Sequence, residues 1–394
     1  MKKYFLAIAS FFIYSHISLG QVYPGQMDST FVPVRSHHYD PELTFDFCVN
    51  EPAWSNQAGI HSAFGSTDRL YFRKEVPVNH DNDLSSSYST TVWRGERANA
   101  QILVWSSEAL EQVRVSTQDL RSAEGNIIPK DRITFELVRY VLSNYPYAEK
   151  KAICGESPYK SGFLMPDRFE TLDRFDLPSQ TTRPVWMMVD VPRGTVPGTY
   201  KGQVEVRAKG KAPQLLNLEI VVQNQLLPYP KDWKYRLDLW QNPWAVAWYN
   251  HVEPWSPEHK MLLKQHLKHY ADAGGTYITT YGVHSPWSDN SYMIEGGMIE
   301  WIKKADGTWA FDYKIFDEYV ELAMECGIDE AITLYTPIPW GFRHRYKDEA
   351  TGDYSYINWA PSSEEFKKMW NIFLTDFKFH LEAKSWLDIT YIGI

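Results

Sequence analysis

Trp386-Leu387-Asp388-Ile389-Thr390-Tyr391-Ile392-Gly393-Ile394 closes the chain, and residues 389–394 carry a β-branched and aromatic run that reads as a buried strand. Working back from it, Ser362 with Glu365 forms a capping box. Phe366, Met369, Trp370, Phe373 and Phe377 then give the following helix one apolar stripe. A strand at 331–335 precedes that helix. Before it lies a helix over 313–325, with Ile315, Phe316, Tyr319 and Leu322 at helical spacing and Gly327 as its stop. A strand at 277–281 comes earlier still. It follows a helix opened by Ser256-Pro257-Glu258, which carries Leu263, Leu267 and Tyr270 and ends near Gly274-Gly275. Residues 235–240 supply the first strand. Four strands alternating with three helices predict parallel β/α units. A doubly wound sheet also fits this pattern. The barrel is favoured because long aromatic and polar loops follow the first three strands, and no Gly-rich phosphate fingerprint does. A complete barrel needs typically ~250 residues, and 235–394 supplies roughly 160. The expectation is therefore an incomplete (β/α)8 TIM barrel of about four β/α units.

Residues 21–226 have a different period. Short alternating runs at 100–105, 185–191, 202–208 and 216–222 are separated by Gly, Pro, Asn and Ser clusters, with Pro197-Gly198-Thr199-Tyr200 as a turn. Weaker candidates lie at 113–117 and 133–140, and weaker still at 31–35, where Pro33 would confine a strand to an edge. This patterning predicts a multidomain chain with an N-terminal antiparallel β-sandwich. Leu226-Leu227-Pro228-Tyr229-Pro230-Lys231-Asp232-Trp233 holds two prolines, so 227–234 reads as a stiff linker.

Residues 1–20 carry a secretory signal: Lys2 and Lys3, then a mostly apolar stretch over 4–17, then Ser18 and Gly20 at the −3 and −1 positions of a cut before Gln21. That stretch is too short to span a bilayer. The expected location is periplasmic or extracellular, with no membrane span. Export permits disulfides, but only Cys48, Cys154 and Cys326 are present; Cys48 with Cys154 is one possible bridge, and three free thiols is the other reading. The net charge of −9 lacks the footprint of a nucleic-acid binder. The 16 Trp and 25 Tyr suit either large aromatic cores or a surface that packs on the apolar faces of sugars.

If the barrel holds, chemistry sits at the C-terminal ends of its strands. Asp238, Trp240 and Gln241 end the first strand, with Trp244 close behind. Tyr281, His284 and Trp287 follow the second; Tyr335, Trp340 and Arg343 follow the third. Planar rings beside polar groups are what a carbohydrate site requires. Loop packing competes as the reading of each tryptophan, and a core-facing hydrogen bond as that of Asp238. His251 and His284 match no metal spacing, and neither a metal nor a cofactor is expected. Gly-x-Ser-x-Gly is absent, and no cysteine sits in a nucleophile signature.

Several stretches resemble glycoside hydrolase family 123, the exported β-N-acetylgalactosaminidases. They are Leu237-Asp238-Leu239-Trp240-Gln241-Asn242-Pro243, Tyr270-Ala271-Asp272-Ala273-Gly274-Gly275, Glu300-Trp301 before Phe311-Asp312-Tyr313, and Thr390-Tyr391-Ile392-Gly393. Trp93-Arg94-Gly95-Glu96-Arg97 and Pro197-Gly198-Thr199-Tyr200-Lys201-Gly202 extend the likeness into the sandwich. The resemblance implies glycans or glycolipids with terminal β-linked N-acetylgalactosamine as partners. It also implies retaining hydrolysis in which the substrate's own acetamido oxygen attacks, an Asp steadies that group, and an adjacent Glu protonates the leaving oxygen. The family's Asp-Glu pair follows the fourth strand, so here it is expected just after Ile394, and the chain as written is expected to be inactive. Asp317-Glu318, Asp329-Glu330 and Asp348-Glu349 read as helix surface, N-terminal rim and charged loop. The alternatives are a non-catalytic glycan-binding protein, a purely structural module, and a related barrel enzyme acting on N-acetylglucosamine.

Overall fold

The structure, a computed structural model, describes residues 51–79, 84–143, 163–171, 173–286 and 296–393. The proposed signal segment, Phe31 to Arg35, Cys48, Cys154 and Trp287 lie outside them. The chain divides into two compact units between Leu227 and Pro228. It is multidomain and mostly β, with several sheets and four α-helices among the described residues. No helix among these is long and apolar enough to cross a membrane.

The first unit contains β1 (His61–Gly65), β2 (Ser87–Arg94), β3 (Arg97–Ser106), β4 (Leu110–Thr117), β5 (Leu120–Arg121), β6 (Ile127–Ile128), β7 (Ile133–Ser143), β8 (Phe163–Glu170), β9 (Phe175–Leu177), β10 (Thr181–Asp190), β11 (Gly198–Arg207) and β12 (Gln214–Leu226). One sheet runs β1-β3-β10-β7-β8. The other runs β2-β12-β11-β4-β9, with β5 and β6 attached through β11. Leu216, Leu218, Ile220 and Val222 of β12 and Val185, Met187 and Val189 of β10 bury into one shared apolar cluster. Each such side chain contributes roughly 1.5–3 kcal/mol, and a one-residue slip would turn them all outward. This is the sandwich that the alternation predicts, with two differences. β12 pairs with β2 in parallel, so the unit is not wholly antiparallel. The tight turn falls at Arg193-Gly194, and Gly198 already opens β11.

The second unit holds α1 (Pro243–Asn250), α2 (Pro257–Asp272), β13 (Tyr277–Tyr281), β14 (Glu300–Lys303), β15 (Trp309–Asp312), α3 (Lys314–Glu325), β16 (Ala331–Tyr335), β17 (Arg343–Asp348), β18 (Tyr354–Asn358), α4 (Glu364–Lys384) and β19 (Thr390–Gly393). β13, β16 and β19 form a parallel sheet in that order, with α3 and α4 as the connections. Ile278, Ile332 and Leu334 pack with Leu267 of α2, Phe316 and Val320 of α3, and Phe373, Phe377 and Leu381 of α4. Cys326 is buried and free.

Four local expectations are corrected. Residues 235–240 do not form a strand: only Leu237 bridges to Gly275, and the Leu239 N–H donates to the Tyr270 hydroxyl instead of to a ladder. The parallel sheet therefore has three strands. Of the stretch read as a linker, Leu227 groups with the first unit and residues 228–234 with the second, where the Trp233 ring is so close to Gly274 that a Cβ there would lie 2.5 Å from it. Ser363, not Ser362, caps α4 through the Phe366 N–H. The charged loop around Arg343, Arg345 and Lys347 is a strand, β17, paired with β18. Helix α1 was not anticipated, although Asn242 capping Ala245 with Pro243 behind it is a recognised start signal.

The hairpins β14-β15 and β17-β18 lie in the loops after β13 and β16, and they join as one four-stranded sheet through β14 and β17. Trp301 is at its centre, within ring-stacking distance of Trp309, Phe311, His344, Trp359, Trp370 and Phe373. Its indole N–H donates to the Gly282 carbonyl at 2.9 Å, directly after β13.

Three predictions follow from the contacts of Tyr270, Gly275 and His344. The Tyr270 hydroxyl lies 2.6 Å from the Leu237 carbonyl and 2.8 Å from that of Tyr277, and burial pushes its pKa up to about 12. Tyr270→Phe strands the Leu237 carbonyl and the Leu239 N–H, and should cost about 1–3 kcal/mol in urea denaturation. Gly275→Ala should cost at least as much, because its Cβ would lie 2.3 Å from the Tyr270 ring. His344 accepts from the Trp370 indole on Nε2 and faces the Phe342 carbonyl through Nδ1, and burial lowers its pKa from 6.5 to about 4. Unfolded chains take up a proton between pH 6.5 and 4 that the folded chain refuses. This residue's contribution is therefore intact above pH 6.5 and falls away by pH 4, by up to ~3 kcal/mol. Urea midpoints across that window should fall less steeply in His344→Gln, which keeps a donor and an acceptor without titrating.

Candidate functional site

The C-terminal ends of β13 and β16 are marked by Tyr281 and Tyr335, which are register partners. Each carries a tryptophan from the segment that precedes the sheet. Trp244 stacks on Tyr281 at 5.5 Å between ring centroids, and Trp240 lies on Tyr335 at 4.8 Å. The two pairs differ in exposure. Trp244 is buried, with Trp255 edge-on at 5.3 Å and no room for a Cβ on Gly296 beside it. Trp240 is 59% exposed. Tyr281 is fully buried, and its hydroxyl donates to the Gln241 carbonyl at 2.7 Å. Trp244 and Tyr281 thus support the rim from below, while Trp240 presents a ring at its surface.

Asp238 is a brace. Its two carboxylate oxygens accept from the Thr279 hydroxyl at 2.7 Å and the Thr333 hydroxyl at 2.9 Å. Those threonines are themselves partners on β13 and β16, so the carboxylate clips the two strands together. Gln241 follows with its backbone engaged and its buried side-chain Nε2 without a hydrogen-bond partner among the described residues.

Past β13, the chain turns through Val283, His284 and Ser285, and the Ser285 N–H donates to the Gly296 carbonyl. Nδ1 of His284 is buried and has no partner among the described residues. Burial first, then Arg345 and Arg343, lower its pKa to about 4, so the ring is neutral at physiological pH. Past β16, the Trp340 N–H donates to the Pro286 carbonyl, which ties the two rim loops together, and Trp340 is 47% exposed. Arg343 opens β17 with its guanidinium 3.8 Å from the centre of the Tyr356 ring. His284, Ser285, Arg343 and Tyr356 line a cavity of about 130 Å³.

Of the residues singled out from sequence, Asp238, Trp240, Gln241, His284, Tyr335, Trp340 and Arg343 all stand at the ends of β13 and β16 or in the segments joined to them. Trp244 and Tyr281 lie beneath. Sequence reasoning missed Ser285 and Tyr356. The alternation Arg343-His344-Arg345-Tyr346-Lys347, followed after a Gly352 turn by Tyr354-Ser355-Tyr356, was the available signal for a hairpin.

None of the three Asp-Glu dipeptides is placed for chemistry. Asp317 joins His380 and Lys384 of α4, and Glu318 joins Lys260 of α2. Glu330 accepts from the Thr276 hydroxyl at the opposite ends of the strands. Asp348 receives the Ala350 N–H in a turn, and Glu349 pairs with Lys304.

Residues 240–394 match the catalytic domain of glycoside hydrolase 123, and residues 64–208 match the glycoside hydrolase 123 N-terminal domain. Among solved structures, the chain is similar to a family 123 glycoside hydrolase from Clostridium perfringens, described for glycolipid glycan hydrolysis. Identity is 26% and the TM-score 0.75, over 86% of this chain and 58% of that one. The chain thus spans little more than half of that protein's length. Two weaker likenesses carry no argument. One is the PapD-like domain of human CEP192, at 12% identity and TM-score 0.23 over 47% of this chain and 99% of that one. The other is a Bacteroides ovatus GH5 xyloglucanase, at 8% identity and TM-score 0.18 over 63% of this chain and 43% of that one. No curated protein matches. With both of its units matched by that family's two domains, the chain belongs to the glycoside hydrolase 123 family.

Proposed function

We propose that this chain is the sugar-holding part of an exported glycosidase that releases terminal β-linked N-acetylgalactosamine from glycans or glycolipids, with its second unit forming the leading portion of a (β/α) barrel. The observation that carries this reading is Trp240, a ring more than half exposed and held on Tyr335 where β16 ends. Such a platform takes the apolar face of a pyranose, while donors nearby select its hydroxyls. The exposed Trp340 is a further ring of that rim, and the buried Nε2 of Gln241 lies unpartnered among the described residues next in sequence to Trp240. Membership of the family supports glycoside hydrolysis, and the Clostridium relative supports a glycan or glycolipid as its substrate.

In the substrate-assisted course, the acetamido oxygen attacks the anomeric carbon, one carboxylate steadies the acetamido group, and a neighbouring acid protonates the departing oxygen. The described residues offer no free adjacent Asp-Glu pair for these two roles, since all three Asp-Glu dipeptides are spent on structure. Asp238 is likewise committed to Thr279 and Thr333, so its part is to hold the rim in shape. This favours binding without turnover by the 394-residue chain, which is also the behaviour of the alternative, a non-catalytic glycan-binding protein.

The test is calorimetric titration of the chain with a β-N-acetylgalactosamine-terminated oligosaccharide, beside an assay of release from the 4-nitrophenyl glycoside. Binding with no release is expected. Trp240→Ala should weaken binding by about two- to tenfold, in keeping with one lost ring contact of ~0.5–1.5 kcal/mol. Undiminished affinity in a Trp240→Ala, Trp340→Ala double variant would remove the rim from the site. Turnover would show that the chain holds a working acid. Tighter binding of the N-acetylglucosamine counterpart would change the sugar.

A further inference from the structure

We propose that the cavity between His284 and Arg343 is a subsite for an anionic substituent, a carboxylate or sulfate group, carried by the bound glycan. This rests on the reading of the rim as a glycan site and adds a substrate class to it.

The charges point this way first. Arg343, Arg345 and Lys347 occupy alternate positions of β17, and their cross-strand partners on β18 are Asn358, Tyr356 and Tyr354. One acid, Glu300, answers them: it lies 3.7 Å from Arg345 and accepts from the Tyr354 hydroxyl at 3.0 Å. Arg343 has no carboxylate within ion-pair distance among the described residues, and Nε of Arg345 is buried without a partner. This local surplus of positive charge belongs to a chain whose net charge is −9. A stray basic patch on such a protein would ordinarily find an acidic neighbour.

The geometry points the same way. Stacking of Arg343 on Tyr356 at 3.8 Å fixes the plane of the guanidinium and leaves its N–H edges to make paired hydrogen bonds, the arrangement that suits a planar or tetrahedral oxyanion. Arg345 is held in the same manner over Tyr354 at 4.2 Å. His284 and Ser285 line the same cavity, and Nδ1 of His284 is buried without a hydrogen-bond partner among the described residues. In the neutral ring, Nδ1 serves as a donor in one of its two tautomers. Burial is the first cause of the ring's depressed pKa, and the positive charges of Arg345 and Arg343 add to it. At about 130 Å³ the cavity is well below the ~300–1,000 Å³ that encloses a drug-sized ligand. It has room for a substituent, not for a whole sugar residue.

The experiment compares three matched oligosaccharides ending in β-N-acetylgalactosamine: neutral, sialylated and sulfated. Each is titrated into the 394-residue chain and into Arg343→Gln, with thermal melting to confirm that the variant folds. One or both acidic glycans should bind about tenfold to hundredfold tighter than the neutral one, as expected for a charge-assisted contact. The acidic-to-neutral ratio should fall towards one in Arg343→Gln. Preference for one acidic glycan identifies the group. Equal affinity for all three, or a ratio that survives in the variant, overturns the proposal and leaves the glycan reading standing. If no glycan binds, the glycan reading fails. Titration with inorganic sulfate, followed at the His284 ring signals, then decides the cavity by itself: a saturable shift lost in Arg343→Gln supports an anion pocket, and no shift sinks it.

Discussion

The hydrogen bond from the Trp301 indole to the Gly282 carbonyl holds the rim of the second unit together. Gly282 is the first residue beyond β13, and its own N–H donates to the Tyr335 carbonyl at the end of β16. One residue therefore joins two parallel strands and the four-stranded sheet that grows from their loops. Trp301 can make this bond in a buried place because six aromatic rings surround it and exclude competing water. His284 and Ser285 follow within three residues, and β17 reaches the same cluster through His344. It acts with the Trp340 N–H to Pro286 carbonyl bond and the β14-β17 pairing, so the loops after β13 and β16 share one order.

The aromatic wealth of the chain thus has two uses that composition alone could not separate. Most of the rings in the second unit build the core: Trp301, Trp359, Trp370, Phe373 and Phe377 are all buried. A smaller group, including Trp240, Trp340 and Tyr356, stays well exposed at the rim or on the hairpin beside it. Trp240 and Trp244 show how fine the division is. They stand four residues apart, and each lies on a tyrosine at the end of a strand. Trp244 is drawn inside because it belongs to α1, whose other contacts include Trp255 and the bare backbone of Gly296.

What was readable in the chain was readable for local reasons. Strict alternation in 216–222 and the Ser256-Pro257 start of α2 depend on neighbours in sequence, and both appear as read. The failures have long-range causes. Residues 235–240 have the composition of a strand, yet the Tyr270 hydroxyl, from a helix more than thirty positions away, takes the Leu239 N–H. The β17-β18 ribbon was passed over because its alternation is of charge and aromatic rings instead of apolar and polar residues. Its inner face, His344 and Tyr346, is recognisable only once Trp301, Trp309 and Trp359 are seen behind it. The candidate rim residues were chosen by counting strand ends from the β/α pattern. Which of them face outward could not be found that way, since Trp244 and Tyr281 are hidden by contacts from other segments.

His284 and His344 separate a structural histidine from one that waits for a ligand. Both are held to a pKa of about 4, and both sit beside the same aromatic and cationic sheet. In His344 both ring nitrogens are used, one by Trp370 and one facing the Phe342 carbonyl, and burial is the leading cause of the shift. In His284 Nδ1 is orphaned, and two arginines add to the shift. A buried polar atom left unsatisfied costs about 1–3 kcal/mol. A fold that satisfies His344 so fully has the means to satisfy His284, with the Ser285 hydroxyl and Tyr356 lining the same cavity. Nδ1 stays open beside Arg343, which has no carboxylate within ion-pair distance among the described residues, and a bound group with lone pairs would satisfy both. The same reasoning applies to Nε2 of Gln241. Nε2 of Gln241 and Nε of Arg345 are donors, and Nδ1 of His284 joins them in its Nδ1–H tautomer, so a group that satisfies them brings acceptors.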